Sequence, residues 1–248
     1  MPKAIPSLFL VLSTLCLCPF AFALPAQHEA WHQENDAYRT MYDRYDIELQ
    51  RLNDAFDEGE YDKVDKENNT VIEKSVKDAE AAGKNAALAC AQAYAERILV
   101  MEQLVSCRNL EIVAGETNPL EGFYRLSGRP GHDGYLTISR TGNGGYWLEI
   151  AVWETDKPQS FGWSQFQAAK IGDNFSTTAV FQPQTAEESG ARDIQPHLAI
   201  KDGVAEVTTP EAFKKGGYVY FDRGEKSLLK NIRLDGNYRY VPCGKAGR

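Results

Sequence analysis

The sequence predicts an α+β protein: an N-terminal antiparallel helical bundle followed by an antiparallel β-barrel or sandwich, a meander of about 8–10 strands. Two observations predict it. Apolar residues recur at steps of three and four as far as Leu110, and at steps of two from Gly122 onward. The separators change at the same place, from isolated glycines to tight-turn clusters such as Thr141-Gly142-Asn143-Gly144 and Asp235-Gly236-Asn237.

The chain opens with Lys3, an apolar run from Leu8 through Phe22 and the small-x-small triplet Ala21-Phe22-Ala23. That pattern reads as a secretory signal over residues 1–23, with a mature chain from Leu24. The run covers about 15 residues where a membrane span needs about 20, and Pro19 breaks it, so no transmembrane anchor is expected. A periplasmic or secreted location follows.

Residues 24–110 read as an acidic three-helix region. The first stripe runs through Trp31, Tyr38, Tyr42, Tyr45, Leu49, Leu52 and Phe56, interrupted by Asn35, with the charged residues between them expected on a wet face. Gly59 is the expected stop. The second stripe runs from Tyr61 through Val64, Val71, Ile72, Val76 and Ala79 to a stop at Gly83. The third segment, Ala86 to Val105, is the most apolar and is expected at the centre of the bundle. Residues 111–119, containing Gly115 and Pro119, read as a linker.

The barrel domain occupies 120–248. Its expected strands are Gly122–Leu126, Tyr135–Arg140, Gly145–Trp153, Trp163–Ile171, Phe175–Phe181, Leu198–Lys201, Val204–Thr208, Tyr218–Phe221, Leu228–Leu234 and Tyr238–Val241. The stretch Arg129 to Gly134 is expected as a turn. Alternation is imperfect over Tyr146–Glu154, which implies a strand covered on both faces. The opening Gly122-Phe123-Tyr124 followed by a meander is similar to the calycin-like barrels, and that resemblance implies a lumen able to hold a small apolar ligand.

Between Leu24 and Leu110 there are 18 acidic and 10 basic residues; from Glu111 on there are 17 and 16. An acidic half beside a nearly neutral one argues against nucleic acid and anionic lipid, and suits a cationic partner. Cys90, Cys107 and Cys243 remain after the signal. On one helix Cys90 and Cys107 lie about 25 Å apart, and a disulfide needs Cα atoms within about 7 Å. Cys107 with Cys243 is the expected bridge, since the two bracket the C-terminal half; Cys90 is then a small buried hydrophobe.

Catalytic patterns are sparse. No Gly-x-Ser-x-Gly elbow, P-loop or dinucleotide fingerprint is present. His28 and His32 have the i, i+4 spacing of a helical metal site, but Glu29 is the nearest carboxylate and no Cys or third His is close in sequence, so no metal or other cofactor is expected. His132 and His197 read as loop residues, and Glu149, Glu154, Glu187 and Glu188 as surface charges. Asn68-Asn69-Thr70 and Asn174-Phe175-Ser176 match glycosylation sequons. Trp147, Trp153 and Trp163 fall in an aromatic-rich stretch, read as barrel core with a face on the bundle or as a partner-recognition surface.

The longest irregular stretch is 182–196, a length that often carries function. Its Ser189-Gly190-Ala191-Arg192, with Lys201-Asp202-Gly203 further on, resembles the Ser-Gly-x-x loop and later Lys-Gly of the periplasmic C-type lysozyme inhibitors. The resemblance implies a loop entering the cleft of a lysozyme, with Ser189 and Lys201 as inhibitory contacts; Arg192 adds a charged contact beside them. The expected function is non-catalytic binding of a protein, with a cationic lysozyme-like wall hydrolase as the concrete candidate. The alternatives are a carrier of a small apolar ligand and an envelope assembly factor acting through the bundle.

Overall fold

Asn35 divides the first apolar stripe into two helices. Its side-chain oxygen accepts the backbone N–H of Tyr38 at 2.9 Å, which caps α2 (Asp36–Ala55) and leaves α1 (His28–Glu34) as a separate short helix. Among the described residues the helical half therefore has four helices where three were expected. Asp57 accepts from the Glu60 N–H and caps α3 (Glu58–Ala81), so the break precedes Gly59, which lies inside the helix. At the far end Gly83 takes φ +64°; its N–H and that of Lys84 bond to the carbonyls of Glu80 and Ala79, the paired closure of a left-handed C-cap. Asn85 accepts from Leu88 N–H and starts α4 (Ala86–Val113), which runs three residues into the expected linker.

This is a computed structural model, and it describes residues 27–113, 120–142, 144–171, 174–179, 197–208, 218–220, 226–228 and 232–243. The expected signal segment 1–23, the rest of the linker and the loop 182–196 with Ser189 and Arg192 lie outside the described residues. Among the described residues no helix is long and apolar enough to cross a membrane.

As its composition requires, α4 is central: it packs on both α2 and α3. The dry side of α2 is turned from the expected stripe and runs through Tyr38, Met41, Tyr45, Glu48 and Leu52, with Tyr42 and Leu49 at its margin. The strands are β1 (Gly122–Ser127), β2 (His132–Arg140), β3 (Tyr146–Glu154), β4 (Phe161–Ile171), β5 (Asn174–Ala179), β6 (His197–Lys201), β7 (Val204–Thr208), β8 (Tyr218–Tyr220), β9 (Lys226–Leu228) and β10 (Gly236–Tyr240). The α+β expectation holds. Strands β1–β7 and β10 form a closed antiparallel barrel, each paired with its sequence neighbour and β10 bridging β7 and β1, while β8 and β9 form a separate two-stranded ribbon. Most of the described boundaries shift by one or two residues from expectation, and two differ by more. Residues 232–235 are not a strand, and β2 begins at His132 inside the expected turn. Gly134 explains the second: a Cβ there would lie 2.2 Å from the Ala151 carbonyl oxygen, so the glycine serves close strand approach and Gly131, at φ +73°, serves the turn.

Register separates the two faces of the sheet. Tyr124, Leu136 and Ile150 stand opposite one another across β1–β3, and Tyr238 stands opposite Leu126; all are buried and fill the lumen. The alternate positions Phe123, Tyr135, Glu149, Ala151 and Trp153 face outward yet are also buried, because α2 and α4 cover that side. The buried apolar residues of helices and barrel form one continuous core. Cys107 on α4 is bridged to Cys243, just past β10, with Cα atoms 5.5 Å apart, and Cys90 is a buried free thiol, both as expected.

The bridge closes a loop of 136 residues, for which chain entropy gives a stabilisation of about 5 kcal/mol. Replacing Cys107 and Cys243 together with Ser is expected to lower the urea midpoint, with a loss of several kcal/mol of unfolding free energy and a steeper slope as the unfolded chain expands. An unchanged midpoint would show that the bridge restrains nothing.

Candidate functional site

Three carboxylates, two guanidiniums and a phenol meet where the helices cover the barrel. On α2, Arg44, Glu48 and Arg51 are spaced i, i+4 and i+7 and share one face. Glu102 faces them from α4. From the outer face of the sheet, Glu149 on β3 lies in register with Gln165 on β4, and Ala151 with both Tyr135 on β2 and Trp163 on β4. That grouping places Tyr135, Glu149, Trp163 and Gln165 side by side beneath α2. Glu48 and Glu102 are 0 % exposed, Glu149 1 % and Arg44 3 %.

Glu149 is the hub. Its Oε1 accepts from Tyr135 Oη at 2.8 Å, Trp163 Nε1 at 2.9 Å, Arg51 Nη1 at 3.1 Å and Arg44 Nη2; its Oε2 accepts from Gln165 Nε2 at 2.9 Å. Arg44 Nη2 also reaches Glu48 and Glu102 and donates to the Tyr135 hydroxyl, while its guanidinium sits 5.1 Å from the Trp163 ring centroid. Arg51 Nη1 donates to Glu48 and Glu102 as well.

Burial alone would raise the Glu149 pKa, but Arg44 and Arg51, helped by Trp163 and Gln165, override it and hold the carboxyl at about 2. Glu102 goes the other way: burial, then the neighbouring charges of Glu48 and Glu149, push it well above the usual carboxylate range despite Arg51. Three carboxylates thus face two guanidiniums, an excess of one acidic group that the raised pKa of Glu102 works to relieve. Oxygens of Glu48, Glu102 and Glu149 lie within 4.8 Å of one another, a spacing that could hold a cation. Here Arg44 and Arg51 donate to all three, so the guanidiniums take the place a metal would fill.

A cleft of about 300 Å³ opens from this network to solvent. Arg51, Val105, Ser106, Asn109 and Leu110 form its helical wall. The sheet wall is Thr137, Ile138, Ser139, Arg140, Trp147 and Glu149, with Glu121 at the rim. Arg140 Nε donates to Glu121 Oε1 at 3.0 Å.

The site residues expected from sequence are scattered. Lys201 is exposed at the end of β6. Trp153 and Trp163 are 2 % and 8 % exposed beneath the helices and present no surface to a partner; of the three tryptophans only Trp147 reaches a solvent-open wall. Glu149, expected as a surface charge, is the most hydrogen-bonded carboxylate of the network, because its strand is covered from outside by α2. Asn68 of the first sequon is buried and accepts from Arg97 Nε at 2.6 Å, which closes it to glycosylation. His28 bonds the Tyr38 hydroxyl and His32 the Asp43 carboxylate. The network residues Arg44, Glu48, Arg51, Glu102 and Tyr135 were not singled out. One signal was present: Glu48 follows Met41 and Tyr45 at steps of four and three, and Glu102 sits between Ile98, Met101 and Val105, so both acids occupy apolar-seam positions.

No family model matches this chain, and no curated protein or solved structure matches it significantly.

Removing one partner of a buried ion network costs about 3–5 kcal/mol. Glu149→Gln is expected to lose that much at pH 7 in chemical denaturation. Its folded pKa is depressed, so its contribution is present above the unfolded value and lost as pH falls toward about 2; the deficit should shrink on acidification. For Glu102 the sign reverses. Its raised pKa makes a contribution that is full below the unfolded value and lost as pH rises through the folded one. Glu102→Gln should therefore gain on the wild type as pH rises above the usual glutamate range, and a stability difference that does not change with pH would contradict a raised Glu102 pKa.

Proposed function

We propose that this protein is a non-catalytic binding protein working outside the cytoplasm, with the cleft between α4 and β2–β3 as its docking point. The observation that carries the reading is the chemical state of the cleft wall. General acid–base catalysis needs a group within hydrogen-bond reach of substrate with a pKa near the working pH. Glu149 lines the cleft, but its pKa of about 2 and five donors leave it no capacity for a proton. Glu102, its pKa raised by burial and by its acidic neighbours, is fully buried and does not line the cleft. What the wall offers is fixed donors, hydroxyls and one aromatic ring, the make-up of a recognition site.

The disulfide and the signal-like N-terminus support an oxidising compartment. Burial removes two basic residues of the helical half, Arg44 and Arg97, and two acidic ones, Glu48 and Glu102, so the acidic excess of residues 24–110 stays on the helical surface. Such a surface steers a cationic partner, and a wall-degrading hydrolase of the lysozyme type is the candidate. The carrier alternative needs room in the lumen, and the burial of Tyr124, Leu136, Ile150 and Tyr238 within it weighs against that.

Mixing the mature chain with lysozymes of several types should give a stoichiometric complex on size exclusion and reduced wall lysis. Affinity should fall as salt rises and drop at least about ten-fold in Trp147→Ala, the loss expected for an aromatic anchor. No complex with any lysozyme would remove the hydrolase as partner.

A further inference from the structure

The cleft wall carries no excess charge. Its lining holds two guanidiniums and two carboxylates, paired as Arg51 with Glu149 and Arg140 with Glu121. An anion or a cation entering this space would add a charge with no counterpart, whereas a neutral ligand costs nothing on that account. The remaining wall is of two kinds. Val105 and the Trp147 ring are apolar; Ser106, Asn109 and Ser139 both donate and accept hydrogen bonds. A ligand that fits both has an apolar face and a rim of groups that donate and accept at once. A pyranose sugar has that form: its axial C–H face packs on an aromatic ring, and each hydroxyl gives and takes a hydrogen bond. The arginines suit the task because their guanidiniums are already held by carboxylates, so little side-chain entropy is lost when a hydroxyl binds. A volume of about 300 Å³ leaves room for a single sugar ring.

We infer that the cleft is a saccharide-binding site, taking a neutral pyranose unit with its apolar face on Trp147 and its hydroxyls on Arg51, Asn109 and Arg140. This rests on the cleft being a docking point, as proposed above, and names the chemistry it selects.

The test is a titration of the full mature chain with glucose, galactose and N-acetylglucosamine, with inorganic phosphate and citrate as anionic probes. The readout is the NMR shift of the Trp147 indole N–H and the Asn109 side-chain amide. At least one sugar should shift both signals and saturate with a dissociation constant on the order of 1 mM or tighter, with little dependence on salt. Trp147→Ala and Asn109→Ala should each weaken that binding about ten-fold or more. Asn109 is exposed on α4, so its variant keeps the test decisive if Trp147→Ala fails to fold. A response to phosphate or citrate alone would overturn the inference in favour of an anion site, and no response to any probe would overturn it outright. The two readings fail separately: a lysozyme complex that survives Trp147→Ala removes the cleft as protein docking point, while sugar binding without any such complex removes only the hydrolase.

Discussion

The helices and the barrel are held in one relation by a charge balance that neither half can satisfy alone. Arg44, Glu48 and Arg51 come from α2, Glu102 from α4, and Glu149 with its hydrogen-bonding neighbours from the sheet. In a dry junction every one of these charges must find its opposite within hydrogen-bond distance, or the junction opens to water. Apolar packing across the same seam would tolerate sliding by a fraction of a turn; an oxygen that accepts from four donors does not. Register between α2 and β3 is therefore set by Glu149, and the continuous core around it follows that register.

The cleft is a by-product of the same arrangement. α2 ends at Ala55 and α4 runs on to Val113, so past Arg51 only one helix covers the sheet. The outer face of β2–β3 is left partly open there, which is why Trp147 is half-buried while Trp153, on the same face of the same strand, is not exposed at all usefully. Residues that would be a wet surface on an isolated barrel become one wall of a crevice whose other wall is helical.

Much of this was legible in the sequence, and the illegible part has a physical cause. The change of period from helix to strand, the barrel meander and the central place of the third apolar segment follow from patterns local to the chain, and the Cys107–Cys243 pairing from the distance that one helix puts between Cys90 and Cys107. Asn35 was visible as an interruption but carries two meanings, a gap in a stripe and a cap, and only the Tyr38 hydrogen bond decides between them. Arg44, Glu48 and Glu149 were read as wet because a charged residue is dry only when its partner arrives from elsewhere in the sequence. Glu149 stands 105 residues beyond Arg44, and no window along the chain contains both. The doubly covered strand 146–154 was the nearest hint, since a strand dry on both faces needs something laid against its outside.

The order in which the network is assembled along the chain has a consequence for protons. The helices supply two guanidiniums and two carboxylates, Glu48 and Glu102, and this set is neutral with both acids ionised. The sheet then brings Glu149, a third negative charge, into the same dry space. Its charge, together with burial and Glu48, raises the pKa of Glu102. Acid therefore works on this junction in two opposed ways: it relieves the crowding of carboxylates around Glu102 and, at lower pH, discharges the Glu149 on which both guanidiniums depend.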